Sequence, residues 1–430
     1  MSEQQKFVIQ GLGGKRVLKG KIPTPGAKNA ILKVLAASIL FKDELTVENV
    51  PEIEDVTRMI ELLEDLGIIV ERKGPNSYRL LTSDIRTSEI SPEISKRLRS
   101  SIVLTGPLVG RLGEVTFPHP GGCVIGKRPI DFFIEAFQIL GADVKDTGGG
   151  YHIKVGRGGL KGSEIFFKNQ SVTATEDFLM AAVLAKGTTV LKNCAMEPEI
   201  EDLGRFLNSC GAKIDGLGTP TIVVQGTGLL SGKGQTYTTM PDRIAAGSFI
   251  ILGALAGEDL EVTNCEPNHL DSLLHTLKLV GVNLKIGKNY VHIKGRQQKF
   301  KAVDLKTHEY PGFPTDLQAP MSVLLTQAEG QSFLFETIFE GRLSYLETLA
   351  RMGADTRVLD AHRALVHGPK RLLGKEVDSP DLRAGLAYVL AGIIARGKTV
   401  VHNIYYIDRG YEHIDDHLRK IGVDIKRVNI

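Results

Sequence analysis

A helix stop signal recurs six times along the 430 residues of this chain. In each copy an apolar or cysteine residue precedes glycine, at Gly67, Gly141, Gly211, Gly281, Gly353 and Gly422. The intervals between these glycines are 74, 70, 70, 72 and 69 residues, a regularity that chance does not explain. Glycine is the residue most often found just past the last turn of a helix. The sequence therefore predicts six related structural units.

Two kinds of helix occupy each predicted unit. The helix before each glycine is amphipathic, as in EIEDLGRFLNSCG, with apolar residues on one face. Upstream lies a helix that is apolar on nearly every side, as in DFLMAAVLAKG, which is the pattern of a buried helix. A strand such as TTVLKN joins the two helices, and two short strands around a turn follow each of the first five glycines. Each unit therefore reads strand–helix–strand–helix–strand–strand.

The six units predict an α/β (α+β) chain of two domains with three units each. One unit cannot enclose its own apolar helix, whereas three units together can. The chain begins with a lone strand, KFVIQGL, and ends with another, DIKRVNI, so we predict that the N-terminal strand closes the last unit. This arrangement predicts a discontinuous domain of residues 1–26 and 240–430 and a continuous domain of residues 27–239.

An insertion, FPHPGGCVIGKRPID at residues 117–131, interrupts the second of the six repeats and contains Cys123. Glycine and proline at this density break regular structure and let backbone approach a ligand. The neighbouring cations Lys127 and Arg128 favour a thiolate and attract an anionic substrate. A lone cysteine is more often a small core residue, so both roles stay open, although placement in an insertion favours function. Cys194, Cys210 and Cys265 occupy repeat positions and are predicted core residues.

Composition limits the classes of function. The formal net charge is +3, so binding of an anion must come from local clusters and not from a general field for nucleic acid or membrane. The four cysteines show no metal-like spacing, which predicts no metal site and a reducing compartment. The N-terminus has no apolar signal core, and no apolar run approaches the length of a membrane span. We predict a cytoplasmic protein that needs no membrane, nucleic acid or obligate protein partner.

Several motifs together resemble one family along the whole chain. They are PGAKNA, RSSIVLTGPLVGR, PGGCVIGKRPID, SVTATE, MPDRI, YPGFPTDLQA, TIFEGR, DLRAG and IDRGYEHI. On these motifs the chain resembles the UDP-N-acetylglucosamine enolpyruvyl transferases, or 1-carboxyvinyltransferases. The resemblance implies two inside-out, barrel-like α/β domains of three βαβαββ units each. The related 5-enolpyruvylshikimate-3-phosphate synthases share that fold but lack the cysteine loop, so the GGC stretch favours the nucleotide sugar as acceptor.

The reaction that this resemblance implies uses two substrates and no cofactor. The enolpyruvyl group of phosphoenolpyruvate moves to the 3′-hydroxyl of UDP-N-acetylglucosamine, and phosphate is released by addition and then elimination. This is the first committed step of peptidoglycan synthesis, which links the chain to cell wall biogenesis, cell shape, the cell cycle and cell division. Members of the family are targets of fosfomycin, so alkylation of Cys123 is expected. The alternatives are an enolpyruvyl transferase for another acceptor and a non-catalytic paralogue that binds nucleotide sugar.

The resemblance also assigns catalytic roles. Cys123 is expected to be a general acid, a covalent nucleophile or both, and Asp316 is expected to be the base for the sugar hydroxyl. From the residues alone, Asp316 also reads as a helix N-cap. Lys28, Arg128 and Arg409 are expected to bind the anionic donor. Arg409 shares its repeat position with Arg128 and Arg342, so a basic residue there is partly a property of the scaffold.

The remaining expectations concern the nucleotide sugar. The expected contacts, which also include Arg128 and Asp316, are Asn29, Arg99, Pro129, Ile130, Asp131, Phe132, Ser171, Val172 and Ile338. Thr173, Lys168 and Asn169 depart from the family pattern and leave the uridine-phosphate contacts open. Asp381 and Arg383 start another apolar helix, where capping and an ion pair between domains fit as well as catalysis.

Overall fold

A computed structural model describes residues 5–119, 130–294 and 299–430. Cys123, Arg128 and Pro129, which the sequence assigns to the site, lie outside the described residues. The α-helices are α1 (Lys28–Ala37), α2 (Glu54–Asp65), α3 (Pro92–Arg97), α4 (Thr105–Leu112), α5 (Asp131–Ile139), α6 (Val172–Leu184), α7 (Pro198–Ser209), α8 (Arg243–Ala256), α9 (Asp271–Val280), α10 (Gln318–Leu325), α11 (Tyr345–Arg351), α12 (Leu382–Ile394), α13 (Tyr405–Asp408) and α14 (Ile414–Lys420).

The strands alternate with these helices in the order that the repeat predicts, except in the second copy, where the isolated bridge of Glu89 to Thr116 stands in place of the expected first strand. They are β1 (Gln5–Gln10), β2 (Leu18–Pro23), β3 (Glu44–Glu48), β4 (Ile69–Gly74), β5 (Ser77–Leu81), β6 (Glu114–Pro118), β7 (Ala142–Asp146), β8 (Gly150–Val155), β9 (Glu164–Phe166), β10 (Thr188–Lys192), β11 (Lys213–Asp215), β12 (Thr221–Gln225), β13 (Thr236–Thr238), β14 (Gly257–Thr263), β15 (Leu284–Ile286), β16 (Tyr290–Lys294), β17 (Phe300–Lys301), β18 (Leu305–Lys306), β19 (Ala328–Phe335), β20 (Asp355–Val358), β21 (Arg363–Gly368), β22 (Glu376–Asp378), β23 (Lys398–His402) and β24 (Asp424–Asn429).

The described residues separate into two compact units. The first unit contains residues 5–25, 241–294 and 299–430, and the second contains residues 26–119 and 130–240. The chain passes from one unit to the other after Pro25 and after Met240. Asp316 and Arg409 belong to the first unit, and Lys28 belongs to the second.

The first unit places three apolar helices inside and three sheets around them. The helices α8, α10 and α12 pack on one another, and every residue of α8 is buried. The sheets have the strand orders β22-β23-β1-β24, β15-β16-β14-β2 and β17-β19-β21-β20, with β18 also paired to β19. Helices that are apolar on all sides require such a position, because water on any side would contact hydrophobic surface.

The N-terminal strand closes one sheet of the first unit. β1 lies between β23 and β24 and is antiparallel to both, with Phe7 opposite Val401 on one side and Arg427 on the other. Phe7 and Ile9 are fully buried, because alternate residues of a strand point to the same face. The lone strand at each end of the sequence therefore completes the same sheet.

The second unit has the same architecture around α1, α4 and α6. Its sheets have the orders β13-β3-β5-β4, β11-β12-β10-β9 and β6-β8-β7. One predicted helix differs, because the apolar segment from Ser101 onward is divided into a 3-10 helix, Arg99–Leu104, and α4. Pro107 has no N–H to donate, so an α-helix can contain it only within the first turn, and α4 begins at Thr105.

The residue that follows the central strand of a repeat is an asparagine in four of the six copies. These asparagines have φ between +52° and +58° and are Asn49, Asn193, Asn264 and Asn403. Asparagine tolerates this left-handed conformation better than most residues with a side chain. In the first three, the side-chain amide donates at 2.8 Å to a carbonyl just past the neighbouring parallel strand. Asn403 Nδ2 donates instead to the side chain of Asp378, the last residue of the parallel strand β22, at 3.4 Å, so each of the four asparagines joins the ends of paired strands.

The three described cysteines are structural. Cys194 and Cys265 are buried core residues, as predicted, and burial raises their pKa values to about 12 and about 11. Cys210 is half-buried and packs against the core of the second unit, and burial raises its pKa as well. Thiols with raised pKa values are poor nucleophiles at neutral pH.

Two kinds of feature are absent from the described residues. None of the described helices has the length and hydropathy needed to cross a membrane. Within the same residues, His, Cys, Asp and Glu side chains form no group of three or more that could hold a metal ion.

Candidate active site

Asp316 lies between two buried arginines of the first unit. Its Oδ1 accepts a hydrogen bond from Arg342 Nη2 at 2.9 Å, and its Oδ2 accepts one from Arg383 Nη2 at 2.8 Å. The side chains of Arg342 and Arg383 are 4% and 7% exposed, whereas that of Asp316 is 27% exposed. The carboxylate is therefore the part of this cluster that solvent or a ligand reaches first.

The two guanidinium groups set the ionisation of Asp316. Burial alone raises the pKa of this carboxyl, but the attraction of Arg383 and Arg342 outweighs it and holds the pKa well below its usual range. Burial lowers the pKa of Arg383, and the charge of Asp316 more than reverses this effect. The cluster is thus ionised at neutral pH and carries an excess of one positive charge.

Three inner helices contribute to the surroundings of Asp316. The residue sits in a 3-10 helix, Thr315–Leu317, that leads into α10, and Arg383 is the second residue of α12. Arg383 Nη1 donates to the Tyr411 hydroxyl at 2.9 Å, and that hydroxyl lies 3.2 Å from Ser248 of α8. Helix N-termini carry partial positive charge, so that of α10, which no side chain caps, adds to the attraction for an anion.

The structure decides two alternatives that the sequence left open. No side chain caps the 3-10 helix at Asp316 or α10, and both Asp316 oxygens bond to arginines, so the N-cap interpretation is wrong. Asp381 does cap α12, accepting from the N–H groups of Arg383 and Ala384 at 2.8 and 3.1 Å. The ion pair of Arg383 with Asp316 lies inside the first unit. It is therefore not the ion pair between domains that the sequence suggested.

Ile338 lies in a turn after β19, in the same unit. Its N–H donates to Glu336 Oε1 at 2.9 Å, and the N–H of Phe339 donates to the same oxygen at 3.1 Å. Because that N–H is already bonded, contact between Ile338 and a nucleotide sugar would use its carbonyl or its half-exposed side chain.

Arg409 is half-buried at the C-terminal end of the short helix α13. It precedes Tyr411, which contacts Arg383, so the chain brings Arg409 close in sequence to a residue of the Asp316 cluster. The structure places Arg342 and Arg409 differently, because Arg342 starts a 3-10 helix whereas Arg409 ends a helix. The shared repeat position therefore does not give the two arginines the same place in the local secondary structure.

In the second unit, Lys28 is the first residue of α1 and pairs with a buried carboxylate. Its Nζ lies 2.8 Å from Oδ2 of Asp55, a residue in the first turn of α2. The side chains of Lys28 and Asp55 are 12% and 2% exposed. Asp55 orients the ammonium group of Lys28. It also supplies the counter-charge that a nearly buried cation needs, because burial of an unpaired charge costs free energy.

The other expected contacts in this unit occupy the starts of neighbouring helices. Asn29 follows Lys28 in α1, Arg99 begins a 3-10 helix that packs against both α1 and α6, and Ser171 caps α6 by accepting from Ala174 N–H at 3.3 Å. Val172 is the first residue of α6. The structure therefore brings the elements that carry these residues together.

Ile130, Asp131 and Phe132 lie at the start of α5, directly after the part of the insertion that is outside the described residues. Ile130 is buried, Asp131 is exposed and Phe132 is half-exposed. The helix is held to α6 by aromatic packing, with Phe137 and Phe178 ring centroids 4.8 Å apart. A helix packed against α6 thus follows the insertion that contains Cys123.

Three contributors to the site were missed or misassigned by sequence reasoning. The sequence motifs predict no role for Asp55 or Glu336, and they predict Arg342 only as a repeat position. Glu336 does have a signal in the sequence, because it stands where four of the other repeats carry asparagine.

Comparison with known proteins agrees with this architecture. A model of the EPSP synthase (3-phosphoshikimate 1-carboxyvinyltransferase) family matches residues 13–418, and the chain belongs to this family. The structure superposes on the enolpyruvyl transferase NikO from Streptomyces tendae with a TM-score of 0.86, covering all of both chains. At 23% identity this likeness shows the fold alone and confirms the predicted α/β class.

Relatives at higher identity have a more specific name. The chain is 44% identical to the UDP-N-acetylglucosamine 1-carboxyvinyltransferase of Solibacter usitatus (strain Ellin6076), over 98% of this chain and 99% of the relative. It is 43% identical to the protein of the same name from Koribacter versatilis (strain Ellin345), over 98% and 96%. The resemblance drawn from the sequence motifs is confirmed.

Proposed function

We propose that this chain transfers the enolpyruvyl group of phosphoenolpyruvate to the 3′-hydroxyl of UDP-N-acetylglucosamine and releases phosphate. Similarity over nearly the full length to enzymes of that name supports the choice of substrates. The observation in the structure that carries the proposal is Asp316 between Arg342 and Arg383, which offers a base and cations in one cluster. The reaction needs both, and it belongs to peptidoglycan synthesis in the cytoplasm.

In the proposed addition step, Asp316 accepts the proton of the sugar 3′-hydroxyl while the oxygen forms a bond to C2 of phosphoenolpyruvate. The C3 methylene takes a proton at the same time, and Cys123 is the proposed donor. A tetrahedral ketal results. Elimination then removes a proton from C3 and breaks the bond from C2 to the phosphate oxygen, which restores the double bond. General acid and base groups each accelerate such steps by roughly a hundred- to ten-thousand-fold.

A carboxylate held between two guanidinium groups is a weak base until part of that attraction is removed. The donor substrate carries a carboxylate and a phosphate, which compete with Asp316 for arginine. We propose that substrate binding draws Arg342 or Arg383 partly away from Asp316 and so raises the basicity of its carboxylate. Lys28, Arg128 and Arg409 are the further cations proposed for the same anions, with Lys28 directed by Asp55.

The acceptor is tested by measuring phosphate release from phosphoenolpyruvate with UDP-N-acetylglucosamine or shikimate 3-phosphate. We expect turnover with the nucleotide sugar alone. Release with shikimate 3-phosphate alone would contradict the proposed acceptor, and release with neither would favour a non-catalytic nucleotide-sugar-binding role.

Two measurements on Cys123 extend this test. Cys123→Ser is expected to lose most turnover without a change in folding, and fosfomycin is expected to add its mass to Cys123 of the wild-type protein. Cys210→Ser is the matched control, because Cys210 is a half-buried thiol with a raised pKa outside the site. Its turnover and alkylation should equal those of the wild type.

A further inference from the structure

The fifth repeat, which holds Asp316, lacks the asparagine that follows the central strand in four other repeats. Asn49, Asn193, Asn264 and Asn403 each follow the last residue of a central strand, and the residue in the same place after β19 is Glu336. This glutamate is fully buried. The four asparagines are half-buried or exposed, whereas burial of a carboxylate carries a large cost in free energy, so fastening the strands does not explain the change.

Another residue performs the task of the asparagine in this repeat. Thr337 Oγ1 donates at 2.7 Å to the carbonyl of Thr307, which directly follows β18, the parallel neighbour of β19. The asparagines Asn193 and Asn264 make the equivalent bonds, to Phe167 and Thr24. The side chain at position 336 is therefore not needed to join the two strands.

The Glu336 carboxylate joins the two segments that carry proposed site residues. Glu336 Oε2 accepts from Thr315 Oγ1 at 2.9 Å and from Gln318 Nε2 at 3.0 Å, on either side of Asp316. Its Oε1 accepts from the N–H groups of Ile338 and Phe339. Each carboxylate oxygen therefore accepts two hydrogen bonds, so the hydrogen-bonding capacity of the carboxylate is fully used.

The backbone of Glu336 and the partners of the carboxylate are themselves fixed. The Glu336 N–H donates to the His362 carbonyl at 2.8 Å, and its own carbonyl lies 2.7 Å from His362 Nδ1. The Gln318 side-chain oxygen accepts from the Tyr345 hydroxyl at 3.0 Å. Within the described residues no cation pairs with Glu336, so its hydrogen bonds, and not a salt bridge, compensate its burial.

We infer that Glu336 is a positioning residue that fixes the Asp316 segment relative to the Ile338 turn. The inference rests on the proposed function, in which Asp316 acts on the sugar hydroxyl and Ile338 contacts the same nucleotide sugar. One carboxylate that accepts from both segments sets the distance between the base and the bound acceptor. Displacement of a reacting group by about 1 Å costs roughly a hundredfold in rate.

The test uses Glu336→Gln, which preserves size but replaces one acceptor oxygen with a donor. We expect kcat to fall by about a hundredfold and KM for UDP-N-acetylglucosamine to rise by about tenfold. Calorimetric titration with UDP-N-acetylglucosamine should still give about one site per chain. That stoichiometry separates misplacement of the base from loss of folded protein.

Two further variants complete the experiment. Thr315→Val removes a single hydrogen bond to Glu336, and we expect a smaller loss of kcat in the same direction. Asn264→Ala is the matched control, since it removes the equivalent residue of a neighbouring repeat. It should lower thermal stability and leave kcat and KM per binding site unchanged.

The outcomes separate this inference from the proposed function. An inactive wild-type protein would overturn the proposed function and this inference with it. An active wild-type protein combined with Glu336→Gln that has normal kcat and KM per site would overturn the inference alone. If Glu336→Gln does not fold, Thr315→Val decides, and normal kinetics in that variant would equally overturn it.

Discussion

Asp316 combines a stabilising role with the proposed catalytic one. Its carboxylate compensates Arg342 and Arg383, which are almost completely buried, and it is also the exposed end of their cluster. A buried arginine without a counter-charge is strongly destabilising, so the same contacts that lower the basicity of Asp316 support the fold. A single substitution should therefore affect the free energy of unfolding and catalysis together.

Asp316→Asn should abolish most turnover and lower the free energy of unfolding by about 3 kcal/mol, because two buried guanidinium groups lose their anion. Inorganic phosphate should restore more stability to this variant than to the wild type. Since the pKa of Asp316 is lowered by folding, its contribution is complete above about pH 5 and is lost only as acid protonates the folded carboxylate. Urea denaturation at pH 6 and 8 should give the same difference between variant and wild type.

A matched control for Asp316 is available in the same unit. Asp360 pairs with Arg363 in an exposed turn, so Asp360→Asn should change stability little and turnover not at all. A stability of Asp316→Asn equal to that of wild type at both pH values would show that the cluster does not support the fold.

At the scale of the single element, α6 carries two carboxylates inside a hydrophobic core. Burial raises the pKa of Glu176 to about 8, with Lys33 opposing the shift, and burial raises the pKa of Asp177 to about 7. Asp177 accepts from Gly106 N–H at 2.8 Å and Thr105 Oγ1 at 2.9 Å, and so ties α6 to the start of α4. Lys33 Nζ lies 3.1 Å from both Glu176 and the carbonyl of Asn29.

The Asp177 shift predicts a dependence of stability on pH. A raised pKa means that the folded chain binds a proton that the unfolded chain releases between about pH 4 and 7, so the free energy of unfolding falls as pH rises through that range. In Asp177→Asn, Oδ1 can still accept from Gly106 N–H, and Nδ2 can donate to Thr105 Oγ1, which itself donates to the Ile102 carbonyl, so both contacts are kept without the charge. It should therefore reduce this slope and be more stable than wild type at pH 8, by about 1 to 3 kcal/mol.

Urea denaturation at pH 5 and 8 measures this effect. Asp143→Asn is the control, because Asp143 has an exposed side chain in β7 of the same unit. An unchanged slope in Asp177→Asn would contradict the assignment of the pH dependence to α6.

The elements themselves could be predicted well from sequence, whereas the contacts between them could not. Helices such as α8 follow from unbroken apolar composition, and the glycine after each amphipathic helix marks its end. The pairing of Lys28 with Asp55, and of Asp316 with two arginines, joins residues that are distant in sequence. The spacing of residues along the chain does not predict such distant contacts. For Asp316 the local pattern favours a helix cap, which the structure excludes.

At the scale of the whole molecule, the repeat explains both the fold and where it changes. Six copies supply the sheets and the inner helices, and four of them keep an asparagine after the central strand. The second copy carries the insertion with Cys123, and the fifth replaces the asparagine with Glu336 beside Asp316. The exceptions to the repeat, more than the repeat, identify the proposed chemistry.

The central claim is that these exceptions serve transfer of an enolpyruvyl group to one hydroxyl of a nucleotide sugar. NMR analysis of the purified product, after incubation of the protein with UDP-N-acetylglucosamine and phosphoenolpyruvate, tests it most directly. We predict an enolpyruvyl ether at the 3′-oxygen of the sugar, formed with one phosphate per product. A product substituted at any other position, or recovery of both substrates unchanged, would contradict the account.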